Sequence, residues 1–93
     1  MKFRKSILAE ASRLISEDRH QQHGDAKKTF ANIAKGWEVI FGVEIPAYKV
    51  GLAFDWAKTV RTEASPKEPD NYVDGCGYKA LAGELAADEE DKQ

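Results

Sequence analysis

The chain has 93 residues, of which 42% are hydrophobic and 32% charged, and its formal net charge is −2. This composition excludes a disordered chain, supplies enough apolar side chains for one small core, and disfavours binding to a nucleic-acid backbone. No stretch of about 18 apolar residues and no secretory segment occurs, so we expect a cytoplasmic protein without a membrane partner. The single cysteine, Cys76, excludes an internal disulfide and is expected to be a small packing residue rather than a nucleophile.

The spacing of the apolar residues predicts an all-α fold of about four amphipathic helices packed as a compact bundle. The predicted ranges are 3–17, 26–41, 46–63 and 70–87. Asp25 is a plausible N-cap, Gly42 a C-terminal stop, and Pro46 a first-turn residue. We therefore expect one helical domain over residues 1–87, followed at 88–93 by an acidic tail without fixed structure.

Two helices carry informative apolar patterns. The second helix has a continuous stripe formed by Phe30, Ile33, Ala34, Trp37, Ile40 and Phe41. The stripe of the third helix is formed by Val50, Ala53, Phe54, Ala57 and Val60. Because Leu52 and Trp56 lie on another side of that third helix, it is expected to be central or to form a homodimer through these two residues.

Three glycines occur inside the predicted fourth helix, at Gly75, Gly77 and Gly83. Each lowers the intrinsic stability of a helix by roughly 1 kcal/mol relative to alanine. We therefore expect these positions to allow close approach to a neighbouring helix or to a ligand.

Four charged residues lie on helix faces that should be apolar. At about 100° per residue, Asp74 falls inside the apolar stripe of the fourth helix and Asp70 points the same way. Arg61 falls inside the stripe of the third helix, with Lys58 at its edge. One interpretation is an internal ion pair between Asp74 and Arg61, helped by Asp70 or Lys58. The other is a pocket in which the basic residues bind phosphate and the acidic residues bind a divalent cation.

A polar loop, DRHQQHGD, joins the first two helices and contains Arg19, His20, His23 and Asp25. The spacing of the two histidines is compatible with zinc, although any further ligands would be carboxylates. A second interpretation is a capped interhelical loop without function. A third is that Arg19 and the histidines reach over a cleft, where the backbone amides that begin the second helix also meet an anion.

The segments ILAEASRLISEDRHQQHGDAKKTFANIAKGWEVIFGVEI, VGLAFDWAKTVR and DNYVDGCGYKALAGEL resemble a family of small, phage-encoded helical proteins of unknown function. The resemblance covers about residues 7–85. The shared positions are Arg19 with Gly24 and Asp25, Phe30 with Trp37, Lys58 with Arg61, and Asp74 with Gly77 and Tyr78. No GxxxxGKS/T, GxGxxG, HExxH or GxSxG motif is present.

More distantly, the chain is similar to the MazG-type all-α nucleoside triphosphate pyrophosphatases, which bind magnesium through an ExxE pair and an ExxD pair and assemble as dimers or higher oligomers. Asn71-x-x-Asp74 stands at the ExxD position, but Asp55-x-x-Lys58 replaces ExxE. The resemblance implies Mg²⁺ bound by Asp70 and Asp74. Phosphate contacts would come from Arg19, Lys58 and Arg61, and further pocket residues would be His23, Asp25 and Tyr78.

Two functions are therefore expected. The first is nucleotide binding, with magnesium-dependent pyrophosphohydrolysis if the protein is an enzyme; the missing ExxE half leaves catalysis open. The alternative is a non-catalytic phage accessory protein that binds a host or phage protein and exposes an apolar patch around Leu52 and Trp56. Either would act in the host cytoplasm if the protein is phage-encoded.

Overall fold

The structure, a computed structural model, describes residues 3–18 and 25–91. Its helices are α1 (Arg4–Arg13), continued by a π-helical turn (Leu14–Asp18), then α2 (Ala26–Phe41), α3 (Ala47–Ala64) and α4 (Pro69–Asp91). No strand occurs within the described ranges. The predicted all-α fold with four helices is confirmed, and the starts of all four helices lie within one residue of the prediction.

Two helix ends differ from the prediction. The first helix changes at Leu14 from α to π geometry, whereas the apolar spacing predicted one uniform helix to residue 17. The last helix continues to Asp91 instead of ending at 87, so residues 88–91 of the expected acidic tail are helical. No glycine or proline follows Gly83 to stop the helix, and the Lys27 Nζ lies 3.1 Å from the Asp88 Oδ2, which ties this end to α2.

The antiparallel hairpin of α3 and α4 is the most extensive packing in the fold. Residues 65–68 form the turn, and the Tyr72 hydroxyl donates a 2.7 Å hydrogen bond to the Pro66 carbonyl across it. α1 packs mainly on α4, and α2 packs mainly on α3. One helix of the hairpin therefore carries α1, and the other carries α2.

Glycines allow the two hairpin helices to approach closely. A Cβ added at Gly51 would lie 2.9 Å from the Ala82 Cβ, and one at Gly75 would lie 3.0 Å from the Asp55 Oδ1. A Cβ at Gly77 would lie 3.3 Å from Ile15 in the π turn. The prediction of close approach is confirmed at Gly75 and Gly77. At Gly83 no described helix approaches closely, since no described atom lies within 4 Å of an added Cβ.

The core forms where α2 crosses the hairpin. Its buried members are Phe30, Ala34, Val50 and Leu85. The Phe54 ring packs edge to face against Phe30, with ring centres 5.1 Å apart, and against Tyr78 at 5.4 Å. Such aromatic pairs add about 0.5–1.5 kcal/mol each beyond the area that they bury.

The predicted apolar stripes are buried only in part. In α2, Ile40 and Phe41 are exposed, because the described chain packs on its first turns and leaves its last turn uncovered. In α3 the exposed members are Ala53, Ala57 and Val60. The side of α3 that faces α4 also carries Gly51 and Lys58, so glycine contact and ion pairing join these two helices in addition to the apolar contact of Phe54 with Tyr78.

Candidate ligand-binding cleft

A cleft of about 390 Å³ opens between α1 with its π turn, the start of α2, and the middle of α4. This volume falls in the range of small-molecule sites. Its apolar walls are formed by Ala11, Leu14, Ile15, Ala26, Phe30, Val73, Gly77, Ala80 and Leu81. Its polar groups come from Asp25, Lys27, Thr29, Asp74, Tyr78 and Glu84.

The π turn shapes one wall of the cleft. Turns of π geometry are frequent at functional sites. Leu14 and Ile15 line the cleft from this turn. Gly77 on α4 offers no side chain here, which lets Ile15 come close to the α4 backbone. The wall is thus apolar and tightly packed at its base.

The start of α2 forms the opposite rim. The Asp25 side chain caps this helix by accepting a 3.0 Å hydrogen bond from the Lys27 backbone amide. The Thr29 hydroxyl donates to the Asp25 carbonyl at 3.1 Å. The predicted N-cap is confirmed, and it places the positive end of a helix dipole at the cleft.

Lys27 bridges the rim between α2 and α4. Its Nζ lies 3.0 Å from Glu84 Oε1 and 3.1 Å from Asp88 Oδ2. Hydrogen bonding to Glu84, and then to Asp88, raises the pKa of the Lys27 ammonium above its ordinary value. The bridge is solvated, so its contribution to stability is small.

Asp74 enters the cleft from α4 and is paired across the hairpin. Its Oδ2 lies 2.9 Å from the Lys58 Nζ, and both side chains are mostly covered, at 19% and 16% exposure. The predicted pair of Asp74 with Arg61 is wrong: Arg61 is exposed in the last turn of α3, one turn beyond the position that faces Asp74. Lys58, expected only to help, pairs with Asp74 instead.

A second Asp–Lys ion pair joins the hairpin, with the aspartate on α3 and the lysine on α4. The Asp55 Oδ2 on α3 lies 2.9 Å from the Lys79 Nζ on α4, and the Asp55 side chain is 16% exposed. Asp55 and Asp74 therefore have nearly equal burial and the same type of partner. Only Asp74 lines the cleft.

Tyr78 supplies an aromatic ring to the cleft. Its ring is stacked with Phe30, with centres 6.2 Å apart and planes inclined by 28°. Phe30 also lines the cleft, so two aromatic side chains from α2 and α4 share one wall. Because Phe30 is only 6% exposed, a flat apolar ligand group would meet mainly the Tyr78 ring here.

The structure brings together three of the predicted site residues, namely Asp25, Asp74 and Tyr78. Asp70 is exposed and lies outside the cleft lining, as do Lys58 and Arg61. The predictions for Arg19, His20 and His23 fall outside the described residues. Among the residues that the structure describes, no three His, Cys, Asp or Glu side chains converge to hold a metal ion.

Sequence reasoning missed the contributions of Lys27, Thr29 and Glu84. A signal for Lys27 was present, because a cation in the first turn of a helix is disfavoured by the helix dipole and needs a partner. Its partners lie 57 and 61 positions further along the chain, which the local pattern does not show. Packing between residues far apart in sequence therefore places Glu84 beside Lys27 at the rim.

Fold and cleft together define a small all-helical protein with a candidate binding site between its helices. None of the helices described is both long enough and apolar enough to cross a membrane. Residues 6–86 match a family described as a domain of unknown function, DUF6378, and the chain belongs to that family. No curated protein and no solved structure matches the chain.

Proposed function

We propose that this protein binds a nucleotide in the cleft between α1, α2 and α4, as a relative of the MazG-type pyrophosphatases. The observation that carries this proposal is the convergence of Asp25, Asp74 and Tyr78 on one cleft of suitable size. The sequence alone indicates all three as site residues.

The chemistry of the cleft suits the two ends of a nucleotide differently. The apolar walls and the rings of Phe30 and Tyr78 favour a nucleobase, whose exocyclic amine can donate to a carboxylate such as Asp74. The first turn of α2 carries backbone amides besides that of Lys27, whose hydrogen bond the Asp25 carboxylate accepts, and these favour an anionic group at the rim. The ion pair with Lys58 restricts the Asp74 side chain, which reduces the entropy lost when a ligand binds.

Magnesium does not fit as a cage made by the described residues alone. Asp74 is the only one of the two predicted ligands that lines the cleft, and Asp70 is exposed outside it. We therefore propose binding without assigning a hydrolytic step.

The test is calorimetric titration of the full chain with each common ribonucleotide and deoxynucleotide triphosphate, with and without Mg²⁺. Asp74→Asn should weaken binding of the accepted nucleotide by about tenfold or more, because hydrogen bonds to charged groups contribute about 1.5–3 kcal/mol. Asp55→Asn is the control, since it alters an Asp–Lys pair of the same hairpin that lies outside the cleft lining. It should leave affinity unchanged.

Two results would overturn the proposal: no nucleotide binds, or both variants lose affinity equally. A pyrophosphate-release assay on the same samples separates a binder from an enzyme. Release of pyrophosphate that depends on Asp74 would extend the proposal to catalysis.

A second candidate function is that of an accessory protein that binds another protein. It is favoured by a cluster of exposed apolar side chains at the end of α2, where Val39 is 85% exposed. The cluster also contains Ile40, Phe41 and Val43. Contiguous exposed apolar side chains are typical of protein contact surfaces.

This second function is tested by affinity capture with the intact chain and with the double variant Ile40→Ser, Phe41→Ser. One stoichiometric partner that the double variant loses and Asp74→Asn retains would support it. Absence of any such partner, with both proteins folded by circular dichroism, would refute it.

A further inference from the structure

The face of α3 that points away from α4 carries three large apolar side chains at intervals of four residues. Leu52, Trp56 and Val60 are 44%, 67% and 56% exposed. The buried side of the same helix is centred near Val50, Gly51 and Lys58, so the three side chains stand opposite the hairpin contact. Residues four apart on a helix form one continuous ridge.

Two exposed charges of opposite sign flank this ridge. Lys49 lies seven residues before Trp56, and Glu63 lies seven residues after it. At about 100° per residue, each lies within about 20° of the direction of Trp56. At 1.5 Å per residue, each lies about 10 Å from Trp56 along the axis. The ridge is therefore basic at one end, acidic at the other, and apolar between them.

A surface of this kind is complementary to itself when turned by half a rotation. We propose that α3 forms the interface of a homodimer with two-fold symmetry, in which the α3 helices of two copies pair antiparallel and Trp56 packs against its equivalent at the axis. In this register Leu52 meets Val60 of the second copy. Lys49 meets Glu63 of the second copy, and the symmetry makes this ion pair twice.

The equal spacing of the two charges about Trp56 is what specifies a second copy as the occupant. Parallel pairing would bring Lys49 against Lys49 and Glu63 against Glu63, which is repulsive. The area buried between two single helices is smaller than the roughly 1,200–2,000 Å² buried in stable complexes. We therefore expect a dissociation constant on the order of micromolar. The cleft is lined by the other helices, so a result that refutes the dimer does not refute ligand binding in the cleft, and the reverse also holds.

Sedimentation velocity over a concentration series of the full chain tests this dimer. The intact chain should show a monomer–dimer equilibrium, and Trp56→Gln should raise the dissociation constant by more than tenfold. Lys49→Glu and Glu63→Lys should each raise it by roughly tenfold, since each replaces two attractive contacts by two repulsive ones. The double charge reversal should restore the affinity of the intact chain. Lys67→Glu, an exposed charge reversal in the turn before α4, is the matched control and should have no effect.

A crosslinking experiment fixes the orientation. Lys49→Cys and Glu63→Cys, each in a Cys76→Ser background, should form an intermolecular disulfide when mixed, and neither should do so alone. The proposal is overturned if the folded chain is monomeric at every concentration, if Trp56→Gln leaves the dimer intact, or if the double charge reversal fails to restore it.

Discussion

Gly51 offers a direct test of how closely α3 and α4 are packed. Replacing it by alanine adds one methyl group inside a helix, which by propensity alone would stabilise the fold by about 1 kcal/mol. The added Cβ would lie 2.9 Å from the Ala82 Cβ and 3.2 Å from both the Ala82 Cα and the Tyr78 carbonyl oxygen. Two of these three atoms belong to the backbone and cannot rotate away.

The helices must therefore separate, and overpacking of this kind costs about 1–3 kcal/mol or more. Because three contacts are violated at once, we expect the upper part of that range, which leaves Gly51→Ala destabilised by about 1–2 kcal/mol after the gain in propensity. For a domain of this size, that lowers the melting temperature by roughly 4–16 °C.

Gly83→Ala is the matched control, because it adds the same methyl group to α4 where no described atom lies within 4 Å. It should stabilise the protein by up to about 1 kcal/mol. Urea unfolding followed by circular dichroism measures both variants. The reasoning is refuted if Gly51→Ala is as stable as the intact chain, or if the two variants shift stability in the same direction.

Two further predictions concern the rim of the cleft. Asp25→Ala should lower the free energy of unfolding by about 1 kcal/mol, because it removes the N-cap of α2. Asp25→Asn should not lower it, because asparagine caps a helix as well as aspartate does. Equal losses of stability in urea unfolding would contradict this prediction. The ion pairs of Lys27 should stabilise the fold below the ordinary lysine pKa of 10.5 and lose that effect as the pH rises through the raised pKa. The stability difference between the intact chain and Lys27→Met should therefore vanish in strongly alkaline solution, and a difference that persists there would show another origin.

The helices themselves could be predicted because their ends are marked locally. Asp25 caps α2, Gly42 has a φ of 72° that glycine adopts without strain, and Pro66 stops α3. The end of α4 is not marked in this way. Its last turn is tied to Lys27 of α2, which lies far away in sequence.

The buried face of α3 could not be predicted, because the helix carries apolar residues on both sides. The side that contacts α4 is decided by Gly51, whose missing side chain admits the backbone near Ala82. The periodicity identified Asp74 as an inward charge, yet its partner depends on the register of two helices. A difference of about one turn selects Lys58 over Arg61.

The attachment of α1 to α4 and of α2 to α3 has a consequence for how the fold opens. The hairpin is local in sequence and heavily packed, so its amides should exchange with solvent most slowly. The amides of α1 and α2 should exchange faster than those of the hairpin, and the cleft lies between these two helices. A ligand that fills the cleft would contact both helices, so that protection of α1 and α2 should rise together on binding.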